Sequence, residues 1–227
     1  MTGDERGRKR EPEQASDALE TSGGDADIVE WPVSLSGVTE TIVATRGPNE
    51  LWNLAALGLF APDSDGESNG DGSGDNPVTA RTWGSTRTRG NFRRQGEGYV
   101  LFVDDPVLFA DAALSIVERE GPVPDAANAW ARVSVESLET GVDEGTEWER
   151  WALRPVETAI ESTTVPTIDR GFGAVVEATV AASRLGVAGY DDAKLRQRLE
   201  YYASVVDRAG DPREREALER VREHSSW

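Results

Sequence analysis

Thr79–Pro106 reads TARTWGSTRTRGNFRRQGEGYVLFVDDP. It holds five arginines (Arg81, Arg87, Arg89, Arg93 and Arg94), with Thr79, Thr82, Ser85, Thr86 and Thr88 between them. The pattern predicts a strand, a tight turn at Gly84, a short helix, a turn at Gly96-Glu97-Gly98 and a second strand, Tyr99–Val103. Ser85 and Thr86 then fall at a helix start, where free backbone N–H groups and the helix dipole favour an anion. A basic, hydroxyl-rich segment of this kind points to a small anion site, with a phosphate as the natural occupant.

The surrounding chain is acidic. Its 227 residues carry 42 Asp+Glu against 24 Lys+Arg, a formal net charge of −18. Only Lys9 and Lys194 are lysine. An acid-rich, lysine-poor, cysteine-free chain suits the cytoplasm of a salt-loving archaeon, where the charge serves as a solvated surface. Charge of this sign repels nucleic acid and keeps a protein soluble. With no cysteine, disulfides and thiolate chemistry are excluded. His224 is the one histidine and lies near the C-terminus, which excludes histidine triads and multi-histidine metal sites. No apolar run approaches a membrane span, and the N-terminus lacks the apolar core of a signal peptide. The expected location is cytoplasmic.

Outward from the opening stretch, alternation marks further strands. Thr39–Arg46 and Leu51–Phe60 form a hairpin across the Gly47–Glu50 turn. Ala55, Ala56 and Gly58 are small, which suits close approach of a flat ligand or of another backbone. Ala129–Leu138 and Trp148–Ile160 pair across a Gly141–Gly145 loop. Pro106–Arg119 has helical spacing, with Leu108, Ala112 and Ile116 on one face and Asp105 as N-cap. The segment 61–77 is Gly, Ser, Asp and Asn, a flexible insertion. Its aspartates lack the terminal Glu of a calcium loop, so it is no metal site. Six or so strands with mostly antiparallel connections predict a closed or partly open β-barrel. The last third turns helical: Arg170–Leu185, Asp192–Arg208 and a segment opened by Asp211-Pro212. Three units follow: a disordered polar tail at 1–30, a barrel domain at 31–164 and a helical subdomain at 165–227.

No G-x-S-x-G elbow, Walker loop or G-x-G-x-x-G follows a strand. No carboxylate pair stands above the acidic background, so no catalytic side chain is assigned. Chemistry, if any, belongs to a bound cofactor.

Several runs carry a resemblance: STRTRGNF (Ser85–Phe92), DDPVLFA (Asp104–Ala110), ETIVATR (Glu40–Arg46), PNELWNLAALG (Pro48–Gly58) and RGFGAVVEATVAASRL (Arg170–Leu185). From about Val33 to Val221 the chain resembles the archaeal family catalogued as domain of unknown function 447, whose members resemble FMN-binding split barrels. The resemblance implies an α+β fold: a mostly antiparallel split β-barrel of the FMN-binding type with a C-terminal helical appendage. It implies FMN as cofactor. Asn53, Ala55 and Ala56 would lie beside the isoalloxazine ring, and Arg81 would fork onto the phosphate. Ser85, Thr86 and Thr88 would bind phosphate, and Asn91 would brace the loop or touch the ribityl chain. It also implies a homodimer with flavin at the subunit interface. Three functions remain open: an FMN-dependent oxidoreductase or flavin reductase drawing on NAD(P)H or another small donor, a flavin binder without turnover, and a nucleic-acid binder using the arginines. The charge weighs against the last.

Overall fold

In chain order the elements are β1 (Val38–Arg46), β2 (Trp52–Phe60), β3 (Val78–Trp83), α1 (Arg87–Gln95), β4 (Glu97–Val103), α2 (Pro106–Leu114), β5 (Val117–Arg119), β6 (Ala127–Asp143), β7 (Thr146–Ile160), α3 (Arg170–Ala182), α4 (Asp192–Ala209) and α5 (Pro212–Glu223). They come from a computed structural model that describes residues 29–62, 76–143 and 145–227. Most of the expected tail at 1–30 and of the insertion at 61–77 lies outside the described residues.

Six strands close a ring in the order β1-β4-β6-β7-β3-β2, with β2 returning to β1. Every pairing is antiparallel. The barrel expected from the alternation is therefore present, with a seventh strand, β5, added on β2. Alternate residues of each strand fill the interior: Val43, Leu57, Leu59, Ala80, Val100, Val133, Trp151 and Leu153. Phe92 of α1 enters the same core and meets Trp151 edge-on at 5.3 Å. Gly98 makes room for it, since a Cβ there would lie 3.1 Å from the Phe92 ring.

The outer faces of β1 and β2 present Ile42, Ala44 and Leu54 to Phe109 and Ala112 of α2. The other side of α2 joins the core of the helical part, where Val107 and Ala110 pack with Val175, Leu199, Val206, Leu218 and Val221. Burial of this apolar surface, at about 25 cal/mol per Å², is what holds the helices to the barrel.

One predicted element ends early. The helix from Pro106 stops at Leu114 instead of Arg119, and Ile116 is exposed instead of facing a core. Ser115 closes the helix by donating from both its N–H and its hydroxyl to the Asp111 carbonyl. The β-branched Val117 then pairs with Leu54, because the outer edge of β2 offers a ladder at that point. β6 runs past the expected Leu138 to Asp143, so Gly141–Asp143, expected as loop, pairs with Thr146–Trp148 instead; positive-φ glycines stand at Gly84 and Gly96 where the turns were placed.

Candidate functional site

The barrel wall is incomplete between β2 and β3. These strands pair only at Leu59–Ala80 and Phe60–Thr79. Lower down, the same edge of β2 pairs with β5 at Trp52–Leu54. Between the two ladders, Ala55–Gly58 pairs with β1 on one side and has no strand on the other. From this fork β3 continues through Arg81–Trp83 into the Gly84 turn and α1. The gap is lined by exposed ladder groups and small side chains, which lets a flat molecule reach the backbone.

α1 stands beside the gap and is fixed there by a buried carboxylate. Glu149 of β7 is 2% exposed. It accepts hydrogen bonds from Arg89 Nε at 2.8 Å and Ser137 Oγ at 2.8 Å, and pairs with Arg93 at 2.8 Å. Burial alone would raise its pKa, but bonds from Arg89, Ser137 and Arg93 outweigh that and hold it below the ordinary carboxylate range. Arg89 also donates to the Gly84 carbonyl and to Glu147, so one guanidinium fastens both helix and turn. At the other side Arg87 pairs with Glu118 of β5, tying the start of α1 to the strand on β2. Two of the five arginines thus anchor α1 to Glu149, a residue with no mark in the sequence among 42 acidic ones. Arg94 donates to the Arg46 carbonyl and to Asn91.

The predicted site residues then separate into groups. Thr86 is the N-cap of α1 and accepts from the Arg89 N–H. The N–H groups of Arg87 and Thr88 have no acceptor among the described residues, as a helix start leaves them. Ser85 is exposed beside them. Asn91 is structural: its amide donates to Thr45 Oγ1 at 2.9 Å. Thr45 sits opposite Asn53 in the β1–β2 register. Thr88 is one turn before Asn91 on the same helix face. Asn53 and Thr88 are therefore neighbours in this corner, and each is only 5% exposed. Neither side chain has a hydrogen-bond partner among the described residues. Their polar atoms are not sealed from solvent, so both groups are open to an incoming ligand. Ala55 and Ala56 lie on the open edge of β2, half-buried, with Ala55 against the barrel core and Ala56 against the α2 side.

Arg81 belongs to a different surface. Ala80 and Thr82 point into the barrel, so Arg81 and Trp83 point out. The Arg81 guanidinium lies 4.4 Å from the ring centre of Trp148 and 5.5 Å from that of Trp83. It lines a cavity of about 690 Å³ between the outer barrel face and the end of α3. Gly58 and Gly84 line this cavity as well, so it opens beside the fork, but Ser85, Thr86 and Thr88 do not line it. Across the cavity stand Arg184 and Tyr190, neither of them assigned to a site from the sequence. Among the described residues no cluster of His, Asp or Glu is arranged to hold a metal.

Two family matches cover this frame. Residues 39–162 match the N-terminal domain of the protein of unknown function DUF447, and residues 169–223 match its C-terminal part. The chain belongs to the DUF447 family. The first match takes in the barrel with its fork, and the second takes in α3 to α5. The FMN-bound DUF447 protein MM1853 from Methanosarcina mazei aligns over 84% of this chain and 96% of its own, with TM-score 0.66 and 22% identity. That likeness confirms the split-barrel fold with its helical appendage. A flavoredoxin from Methanosarcina acetivorans aligns over 61% of this chain and 76% of its own, with TM-score 0.39 and 14% identity. The styrene monooxygenase flavin reductase of Pseudomonas putida aligns over 57% and 93%, with TM-score 0.36 and 12% identity.

Proposed function

We propose that this DUF447 protein binds FMN in the gap between β2 and β3 and acts as a flavin-dependent oxidoreductase of the flavin reductase type. The observation that carries the reading is a pair of polar side chains, Asn53 and Thr88, that are largely buried yet keep solvent-reachable atoms without a protein partner, beside an open strand edge and a helix start. A phosphorylated flat cofactor meets all of these demands together. The free N–H groups of Arg87 and Thr88, with the hydroxyls of Ser85, Thr86 and Thr88, would take the phosphate. The open edge at Ala55–Gly58 would face the ring, with backbone groups as its hydrogen-bonding partners. The FMN-bound state of MM1853 supports FMN as the ligand. Bound flavin supplies the electron transfer that no cysteine or placed histidine of this chain can. The residues around it bind and orient it. A nicotinamide nucleotide is the proposed electron donor.

The test is spectroscopic. Protein purified in high salt should be yellow and release FMN on denaturation. Thr88→Val keeps the shape of the side chain and removes the hydroxyl, so FMN affinity should fall about tenfold, the worth of one hydrogen bond to a charged group. Asn53→Ala should weaken binding similarly. A colourless protein that also refuses added FMN would refute the reading. Anaerobic bleaching by NADPH separates a reductase from a flavin binder without turnover.

A further inference from the structure

The cavity that holds Arg81 contains two cations with no acidic partner. Neither Arg81 nor Arg184 forms an ion pair or side-chain hydrogen bond among the described residues. Each rests instead on aromatic rings: Arg81 near Trp148 and Trp83, and Arg184 at 5.3 Å from the ring centre of Tyr190. Such stacking orients a guanidinium and leaves its N–H fork free. What sets these two apart is that both line one cavity. The cavity volume of about 690 Å³ lies within the usual range for small-molecule sites. Trp83, Phe60 and Val180 give it apolar walls.

Two carboxyl groups also line it, Glu40 and Asp143. Burial, with Glu177 of α3 nearby, pushes the Glu40 carboxyl above its ordinary value. Asp143 stands at the end of β6 and is exposed to solvent.

We propose that this cavity is a second ligand site, separate from the FMN gap, for a small organic acid whose carboxylate or phosphate is attached to a planar ring. Arg81 and Arg184 hold the oxyanion, and the aromatic walls hold the ring. Because Gly58 and Gly84 border both the cavity and the gap, the ligand sits where it can approach a molecule lying along β2. The site stands on the cavity's own residues and holds whether or not FMN occupies the gap.

The test titrates benzoate and, separately, phenyl phosphate into the full chain, with and without added FMN. Binding is followed by calorimetry and by tryptophan fluorescence, since Trp83 and Trp148 contact Arg81. Saturable binding is expected for at least one probe, and the stronger of the two identifies the oxyanion. Arg184→Ala and Arg81→Ala should each weaken it about tenfold or more, the loss of a charge-assisted contact, while FMN content stays unchanged. Arg81→Lys should recover only part of the loss, because the planar fork is gone. No saturable binding up to about 10 mM, weaker than typical specific affinity, would overturn the proposal. So would equal affinity in the alanine variants. Loss of FMN from those variants, with FMN displacing benzoate, would overturn it by making the cavity the flavin's own site.

Discussion

Single carboxyl groups decide how the helices meet. Asp169 caps α3 and accepts from the N–H groups of Gly171 and Phe172. Glu214 completes a capping box with Asp211 at the start of α5. The Asp169 and Glu214 carboxyls interact electrostatically, and Glu214 is only 3% exposed. Gly171 is required beside them, since a Cβ there would lie 2.0 Å from a Glu214 carboxylate oxygen. Burial, then the neighbouring Asp169 and Asp211 carboxylates, push the Glu214 pKa up despite the N–H of Asp211. Asp169 is displaced downward: burial opposes ionisation, but the Phe172 and Gly171 amides and the Glu214 carboxyl outweigh it. The sign for Glu214 is that of a raised group. The folded state keeps its proton longer than the unfolded chain does. The stabilisation is full below the unfolded value, about 4.3, and is lost as pH rises through the folded value. Glu214→Gln keeps a neutral donor for Asp169 and removes the titration. The variant should therefore gain melting temperature over the wild type as pH rises from about 4 to 8. Each pKa unit of displacement is worth about 1.4 kcal/mol, or roughly 3–6 °C at this chain length. Melting curves that run parallel across that range would show that the pair does not share a proton in this way.

At the level of elements, α1 is the part that places the site, and its position rests on β7. Glu149→Gln leaves the buried Arg89 with only the exposed Glu147 as counter-charge, so the melting temperature should drop by about 5–10 °C. FMN affinity should fall with it, because the start of α1 loses its tie to the barrel. Glu147→Gln removes a partner that is mostly exposed, and should do much less. Equal effects from the two changes would refute the anchoring role of Glu149. This element also shows how far the sequence could be read. Gly84, Thr86 and Gly96 state the turn, cap and stop of α1 locally, and the alternation of Thr39–Arg46 or Trp148–Ile160 states a barrel strand. Local chemistry determines these features, so they are legible. β5 was not, because Val117–Arg119 is three residues long and becomes a strand only when the edge of β2 is present. Glu149 was not, because its value comes from meeting Arg89, which is 60 residues away in sequence. Arg81 was legible as a cation on a predicted strand. The face it occupies was settled by strand register, which places Ala80 and Thr82 inward.

For the whole molecule, the two longest strands leave a problem that a second copy would solve. β6 pairs with β4 only over Ala127–Ser134, and β7 pairs with β3 only over Trp148–Leu153. Beyond those ranges, among the described residues, Glu136–Asp143 pairs only with Thr146–Ala152 and Arg154–Ile160 only with Ala129–Ser134, so each segment leaves its outer edge open. Open edges invite pairing with another chain. Leu138, Val142, Val156 and Ile160 are large apolar residues exposed along these same segments. We expect a homodimer in which these strands are covered, with a mass in solution twice the chain's 24.6 kDa. Charge acts against it, since each copy carries a formal −18. Screening shortens the reach of that repulsion from about 10 Å at 0.1 M salt to about 3 Å at 1 M. Apolar burial gains strength under salting-out conditions as well. Light scattering should therefore show the dimer fraction rising with salt. The double change Val156→Lys and Ile160→Lys should return the protein to a monomer in 1 M salt while its far-ultraviolet circular dichroism stays native. A monomeric wild type at high salt would refute the dimer. A wild type that dimerises best at low salt would show that ion pairs, not these apolar strands, hold the copies together.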